Sequence, residues 1–131
     1  MASIFTRIIS GEIPSYKIAE DDHYYAFLDI NPLKKGHTLV VPKQETDYFF
    51  DLDDQTLSGM MVFAKKVARA IDRAMDCKRV GVVVLGMEVP HAHVHLIPLN
   101  KETDASFTQP KLKLSEEQFQ EIAQSIRNAM E

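Results

Sequence analysis

Three of the five histidines in this 131-residue chain stand at every second position of one run, Pro90-His91-Ala92-His93-Val94-His95-Leu96-Ile97-Pro98. Successive side chains of an extended chain point to opposite faces. The spacing therefore predicts three imidazoles on one face of a strand, about 7 Å apart, with Ala92, Val94 and Leu96 anchoring the other. A lone strand histidine is commonly a hydrogen-bonded structural residue; three in strict alternation, with only two others in the chain, point to a site. Two chemistries use such a set. Neutral imidazole nitrogens can hold zinc at roughly 2.0 to 2.1 Å, with His91, His93 and His37 as ligands. Alternatively, an imidazole with an ordinary pKa near 6.5 is mostly unprotonated at pH 7 and can attack a phosphorus centre without a separate base. Neighbouring rings disfavour each other's protonation yet still donate hydrogen bonds to phosphate oxygens, so this second scheme requires no metal.

The elements that must position these side chains are readable from periodicity and punctuation. Ser3 is a candidate N-cap for a short helix from Ile4 to about Ile9, stopped by Gly11 and Pro14. Tyr16 to Ala19 and His23 to Asp29 read as short strands joined by a turn at Glu20-Asp21-Asp22, and His37 to Pro42 as a third strand after the turn Asn31 to Gly36. All five histidines then fall in predicted strands. From Asp53 to about Met75, apolar residues recur at spacings of three and four, which predicts one long amphipathic helix. Val80 to Leu85 is a continuous apolar run expected to be a buried central strand, followed by the alternating strand from His91 to Leu96. Lys101 to Leu114 reads as irregular, and Ser115 with Gln118 forms a capping-box pattern ahead of a C-terminal helix from about Glu116 to Met130. Five short strands with one long helix between the third and fourth predict an α+β fold, a five-stranded antiparallel sheet with the long helix packed on it plus the C-terminal helix. Residues 1–131 are expected to form a single domain, with a core at about 4–99 and a C-terminal extension at about 100–131.

The run His91 to Ile97, histidine alternating with apolar residues, resembles the defining motif of the histidine triad family. The similarity extends to Ile4-Phe5, Glu12-Ile13-Pro14, Ala26 to Pro32 and Gly36 to Lys43, roughly residues 4 to 99. The resemblance implies a nucleotide hydrolase or transferase that needs no cofactor and acts on a nucleotide α-phosphate, with a purine nucleotide or nucleotide conjugate as partner. It also implies a homodimer whose sheets run together. By the same resemblance His93 is the nucleophile, His91 and His95 flank it, and His37 borders the phosphate site. Asp29 is implied to bind the ribose hydroxyls, and Ile8, Ile13 and Phe27 to wall the base. Core packing is the alternative for the three apolar residues, and turn formation beside Asn31-Pro32 the alternative for Asp29. The sequence departs from the family ahead of the triad, where Val84 to Pro90 is a short loop with Met87 in place of a glutamine. Glu88 stands where relatives carry a hydroxyl that assists the leaving group. It is a candidate proton donor if Gly86 or Pro90 breaks the strand alternation, and otherwise an exposed loop carboxylate.

Composition bounds the remaining possibilities. With 45% apolar and 26% charged residues the chain lies near the globular average. A net charge of -4 argues against a broad electrostatic grip on nucleic acid or an anionic membrane. The single Cys77 offers neither an internal disulfide nor a Cys-x-x-Cys pair, and no segment has the apolar length of a signal core or membrane span, so a cytoplasmic protein is expected. The resemblance, with His93 intact, implies an enzyme that releases a nucleoside monophosphate from a phosphoramidate or a dinucleoside polyphosphate. A nucleotide-binding regulator with little turnover is the alternative.

Overall fold

The computed structural model describes residues 2–131. Its sheet contains β1 (Lys17–Glu20), β2 (Tyr24–Leu28), β3 (Thr38–Pro42), β4 (Arg79–Val83) and β5 (Val94–Leu99). All neighbours are antiparallel, in the order β1-β2-β3-β5-β4. Three α-helices accompany it: α1 (Ile4–Ile9), α2 (Asp54–Ala74) and α3 (Glu116–Ala129). The α+β fold expected from the element pattern is the fold observed.

Alternation along the strands divides the interior into two cores. Ala26, Leu28, Val40, Val94 and Leu96 face one side, where α2 covers them with Met60, Val67 and Ile71. Each of these valine, leucine, isoleucine and methionine side chains removed from water contributes roughly 1.5 to 3 kcal/mol. Helix α3 completes this layer by inserting Phe119, Ile122 and Ile126 into the same cluster. Its start is fixed as the sequence predicts, because the Ser115 hydroxyl accepts from the Gln118 amide while the Gln118 side chain accepts from the Ser115 amide. Tyr25, Phe27, Leu39 and Val41 point to the opposite side, where α1 lays Phe5 and Ile8 over them. That second face carries the histidines.

Two expectations are corrected. The run from Val80 to Leu85 is not a central strand: β4 is the sheet edge, pairs only with β5, and leaves Val82 half exposed. Continuous apolar character marks burial or an interface equally well, and here α2 leaves the outer side of β4 uncovered. The strand expected from His91 begins only at Val94. Before it, amide hydrogens go to loops: His91 N–H donates to Val89 O at 2.8 Å and Ala92 N–H to Thr46 O at 2.6 Å. His23 and His37 likewise stand just ahead of strands, so of the five histidines only His95 lies within one.

Candidate active site

The site is built on a row of cross-strand neighbours. Phe27 on β2 faces Leu39 on β3, which faces His95 on β5, so the register places an apolar floor beside the last histidine of the run. His37 enters the same face from the turn before β3. Gly36 makes that entry possible with a φ of +96°, a conformation disfavoured for residues with a Cβ.

Outside the ladder the histidines take separate directions. His91 is fully buried and turned away from the cavity. Its Nε2 lies 2.8 Å from Pro42 O, and a carbonyl can only accept, so Nε2 carries the proton and Nδ1 accepts from the Ser3 hydroxyl at 2.7 Å. His93 Nδ1 lies 2.7 Å from the His91 carbonyl and must donate to it, a tautomer in which Nε2 keeps its lone pair. The His93 and His95 ring centroids are 5.1 Å apart, closer than ideal strand spacing, because the chain bends before β5.

A second chain of hydrogen bonds fixes His37 and His95. The Leu33 amide donates to His37 Nδ1 at 3.0 Å, so the His37 proton sits on Nε2 and is given to His95 Nδ1, also at 3.0 Å. His95 must then carry its proton on Nε2. Burial holds the His37 pKa down to about 3, helped by His95 and Lys111, and the His95 pKa down to about 4, helped by His93 and Lys111. Both rings are neutral donors at physiological pH. The 3.5 Å approach of His37 Nε2 to Asp29 Oδ2 is therefore not an ion pair.

Ligand atoms of Asp29, His37 and His95 lie close enough together to suggest a cation site. The donor pattern opposes it. A metal on His37 Nε2 would require the proton on Nδ1, head-on against the Leu33 amide hydrogen. The zinc set considered from sequence, His91, His93 and His37, is not assembled, because both nitrogens of His91 are committed to Ser3 and Pro42.

A cavity of about 410 Å³ opens in front of His93 and His95. It is lined by all three apolar residues singled out in the sequence: Ile8, Ile13 and Phe27. Ile8 and Phe27 also belong to the second core, so packing and cavity wall are one role here. Asp29 lines the cavity and forms the turn as well, since its Oδ1 accepts from the Asn31 amide at 2.8 Å. Burial raises its pKa, against the opposing effects of that amide and of Lys111. Glu88 reaches the cavity too, because residues 84–93 are not strand and Gly86, with a φ of +71°, turns the chain. His37 and His91 do not line it; they act behind His95 and His93.

Other residues of the site escape sequence reasoning. Phe5 packs edge-on against His93, its ring centroid 5.0 Å away, and against His91. Helix α1 is held there by Glu45, which accepts from the Ser3 amide and from the Thr6 hydroxyl. These bonds, the Thr6 hydroxyl first, lower the Glu45 pKa to about 2. Phe107 and Lys111 come from the irregular segment after β5 and also line the cavity. No periodicity marks such a segment, and only the predicted N-cap at Ser3 was visible in advance.

Comparison with known proteins identifies the family and the fold. The family model described as the HIT domain matches residues 10–102. An uncharacterized HIT-like protein of Borreliella burgdorferi is 39% identical over 131 aligned residues, covering 94% of each chain. The adenosine 5'-monophosphoramidase of Schizosaccharomyces pombe is 33% identical over 128, covering 96% of each. The crystal structure of a HIT-like protein involved in cell-cycle regulation from Bartonella henselae superposes with a TM-score of 0.85 at 32% identity, covering 98% of this chain and 96% of that one. The C-terminal helix, which the sequence resemblance leaves unmatched, thus lies within the shared fold. The chain belongs to the histidine triad family.

Proposed function

We propose that this protein hydrolyses a nucleotide conjugate at its α-phosphate through a covalent nucleotidyl-histidine intermediate on His93. The observation that carries this reading is that His93, its Nδ1 spent on the His91 carbonyl, and His95, its Nδ1 occupied by His37, line one cavity side by side. In the first step His93 Nε2 bonds to phosphorus as the bond to the leaving group breaks, and the leaving group takes the electron pair and a proton. Water then attacks phosphorus, loses a proton, and displaces the imidazole. Dividing one displacement into two lowers each barrier, and the His95 N–H is preorganised for the charge on the phosphoryl oxygens. The base rests against Ile8, Ile13 and Phe27, and Asp29 Oδ2 accepts from the ribose hydroxyls. A relative named adenosine 5'-monophosphoramidase supports a phosphoramidate as substrate class.

A panel of nucleoside phosphoramidates and dinucleoside polyphosphates, assayed for release of nucleoside monophosphate, tests this function. Turnover of none, with nucleotide still bound, would favour a regulator instead. On any substrate turned over, Asp29→Ala should raise KM about tenfold or more, and the penalty should shrink for 2′,3′-dideoxy analogues, which offer no hydroxyl. An equal penalty on both would make Asp29 a turn residue only.

The whole chain, residues 1–131, is proposed to act as one unit within a homodimer. Support comes from the edge strand β4, whose Val82 is half exposed, and from Met61 and Val62 on α2, also turned to solvent. Joining two such edges would run the sheets together. Light scattering at micromolar concentration should give a dimer; a monomer would refute the pairing. Among the described residues no helix is long and apolar enough to cross a membrane.

A further inference from the structure

The cavity, on the reading above, must hold an anion, yet His95 on its wall and His37 behind it bring no charge to meet one. His37 and His95 are held neutral by burial, and the carboxylates Asp29 and Glu88 line or adjoin the same space. Among the described residues, Lys111 is the only lysine or arginine on the cavity wall. Its position is defined from both directions along the chain. Leu112 N–H donates to Pro32 O at 2.8 Å, tying this segment to the turn that separates Asp29 from His37. Lys111 Nζ donates to the Phe107 carbonyl at 2.9 Å and lies 5.2 Å from the centroid of the Phe107 ring. That ring meets His95 edge-on, with centroids 4.9 Å apart, and His37 at 6.1 Å. The ammonium is thus berthed one aromatic ring away from the proposed phosphate donor.

Resting on the nucleotide reading, we propose that Lys111 is the cation that neutralises the substrate phosphate, and that Phe107 is the berth that holds it ready. An ammonium has three donors. It can keep one on the Phe107 carbonyl and turn another to a phosphoryl oxygen without leaving the aromatic face. This assigns to a residue beyond β5 the charge that His37 and His95 do not supply. It also makes the site selective for a charged over a neutral group at the nucleoside 5′ position.

Calorimetric titration of the full chain tests the assignment with two classes of ligand. One is adenosine and guanosine 5′-monophosphate; the other is the 5′-O-sulfamoyl nucleosides, which match the monophosphates in shape but are neutral. Lys111→Met should weaken monophosphate binding about 10- to 100-fold, as expected for loss of one charge-assisted hydrogen bond, and leave the sulfamoyl ligands within about twofold. Lys111→Arg should restore most of the loss. Added salt should weaken monophosphate binding more in wild type than in Lys111→Met. No loss in Lys111→Met, or an equal loss on both ligand classes, would overturn the proposal while leaving the nucleotide reading intact. A wild type that binds neither class would defeat the nucleotide reading and Lys111's role with it.

Discussion

His93→Ala is expected to lower turnover by at least about 10³-fold while nucleoside monophosphate still binds within a few-fold of wild type. The two effects separate because the ring's contacts are separable. Its Nδ1–H is spent on the His91 carbonyl, and Phe5 packs against its side, so only Nε2 faces the reacting centre. Removing the ring deletes the attacking atom and leaves the apolar walls, Asp29 and His95 in place. No neighbour replaces it: His91 is turned away with both nitrogens engaged, and His95 bears its proton on Nε2. Single-turnover and steady-state assays on the best substrate of the panel, alongside titration of the monophosphate, read both quantities. Residual activity above a few per cent would remove His93 as nucleophile.

Glu88→Gln should lose about 10² to 10⁴ in rate on a substrate that releases a basic amine or alcohol, and little on one that releases an acidic phenol. A basic leaving group must receive a proton as its bond to phosphorus breaks. His37 and His95, with pKa values held at about 3 and about 4, have no spare proton to give near neutral pH. Of the two carboxyl groups on the cavity, Asp29 is committed to the Asn31 amide and to the proposed ribose contact, which leaves Glu88. Glu88 is exposed in the free protein. A phosphate bound in the cavity would set a like charge beside it. Rates of wild type and variant on matched amine and phenol conjugates decide the matter. Equal losses on both would exclude Glu88 from proton transfer.

The sequence carries the element order closely, because helix periodicity, capping residues and turn signals are local. The Ser3 and Ser115 caps and the span of α2 needed nothing beyond neighbours a few residues apart. Strand order was not local information. An apolar run such as Val80 to Leu85 reads the same whether a sheet neighbour, a helix or another molecule covers it, and β4 proved to be an edge. The triad was legible as a cluster and not as a geometry. Alternation requires a continuous ladder, and the amides of His91 and Ala92 are drawn to Val89 and Thr46 instead. The bond from Ser3 to His91 and the site roles of Glu45 and Lys111 were silent for a related reason: each reaches the site across more than a dozen residues of chain, where spacing has no period to reveal it.

The tautomer of His95 originates in the amide hydrogen of Leu33, passed through His37. An amide hydrogen is common to every residue except proline. The protonation pattern of His37 and His95 is therefore encoded in the main chain, and the buried side chain at position 33 bears on it only by keeping the shape of the turn. Chemistry held in this way is robust to mutational drift. It also leaves little trace in residue identities, so a relative with an unrelated turn sequence can share the same proton arrangement, and a single Leu33→Pro change can abolish it without touching a histidine.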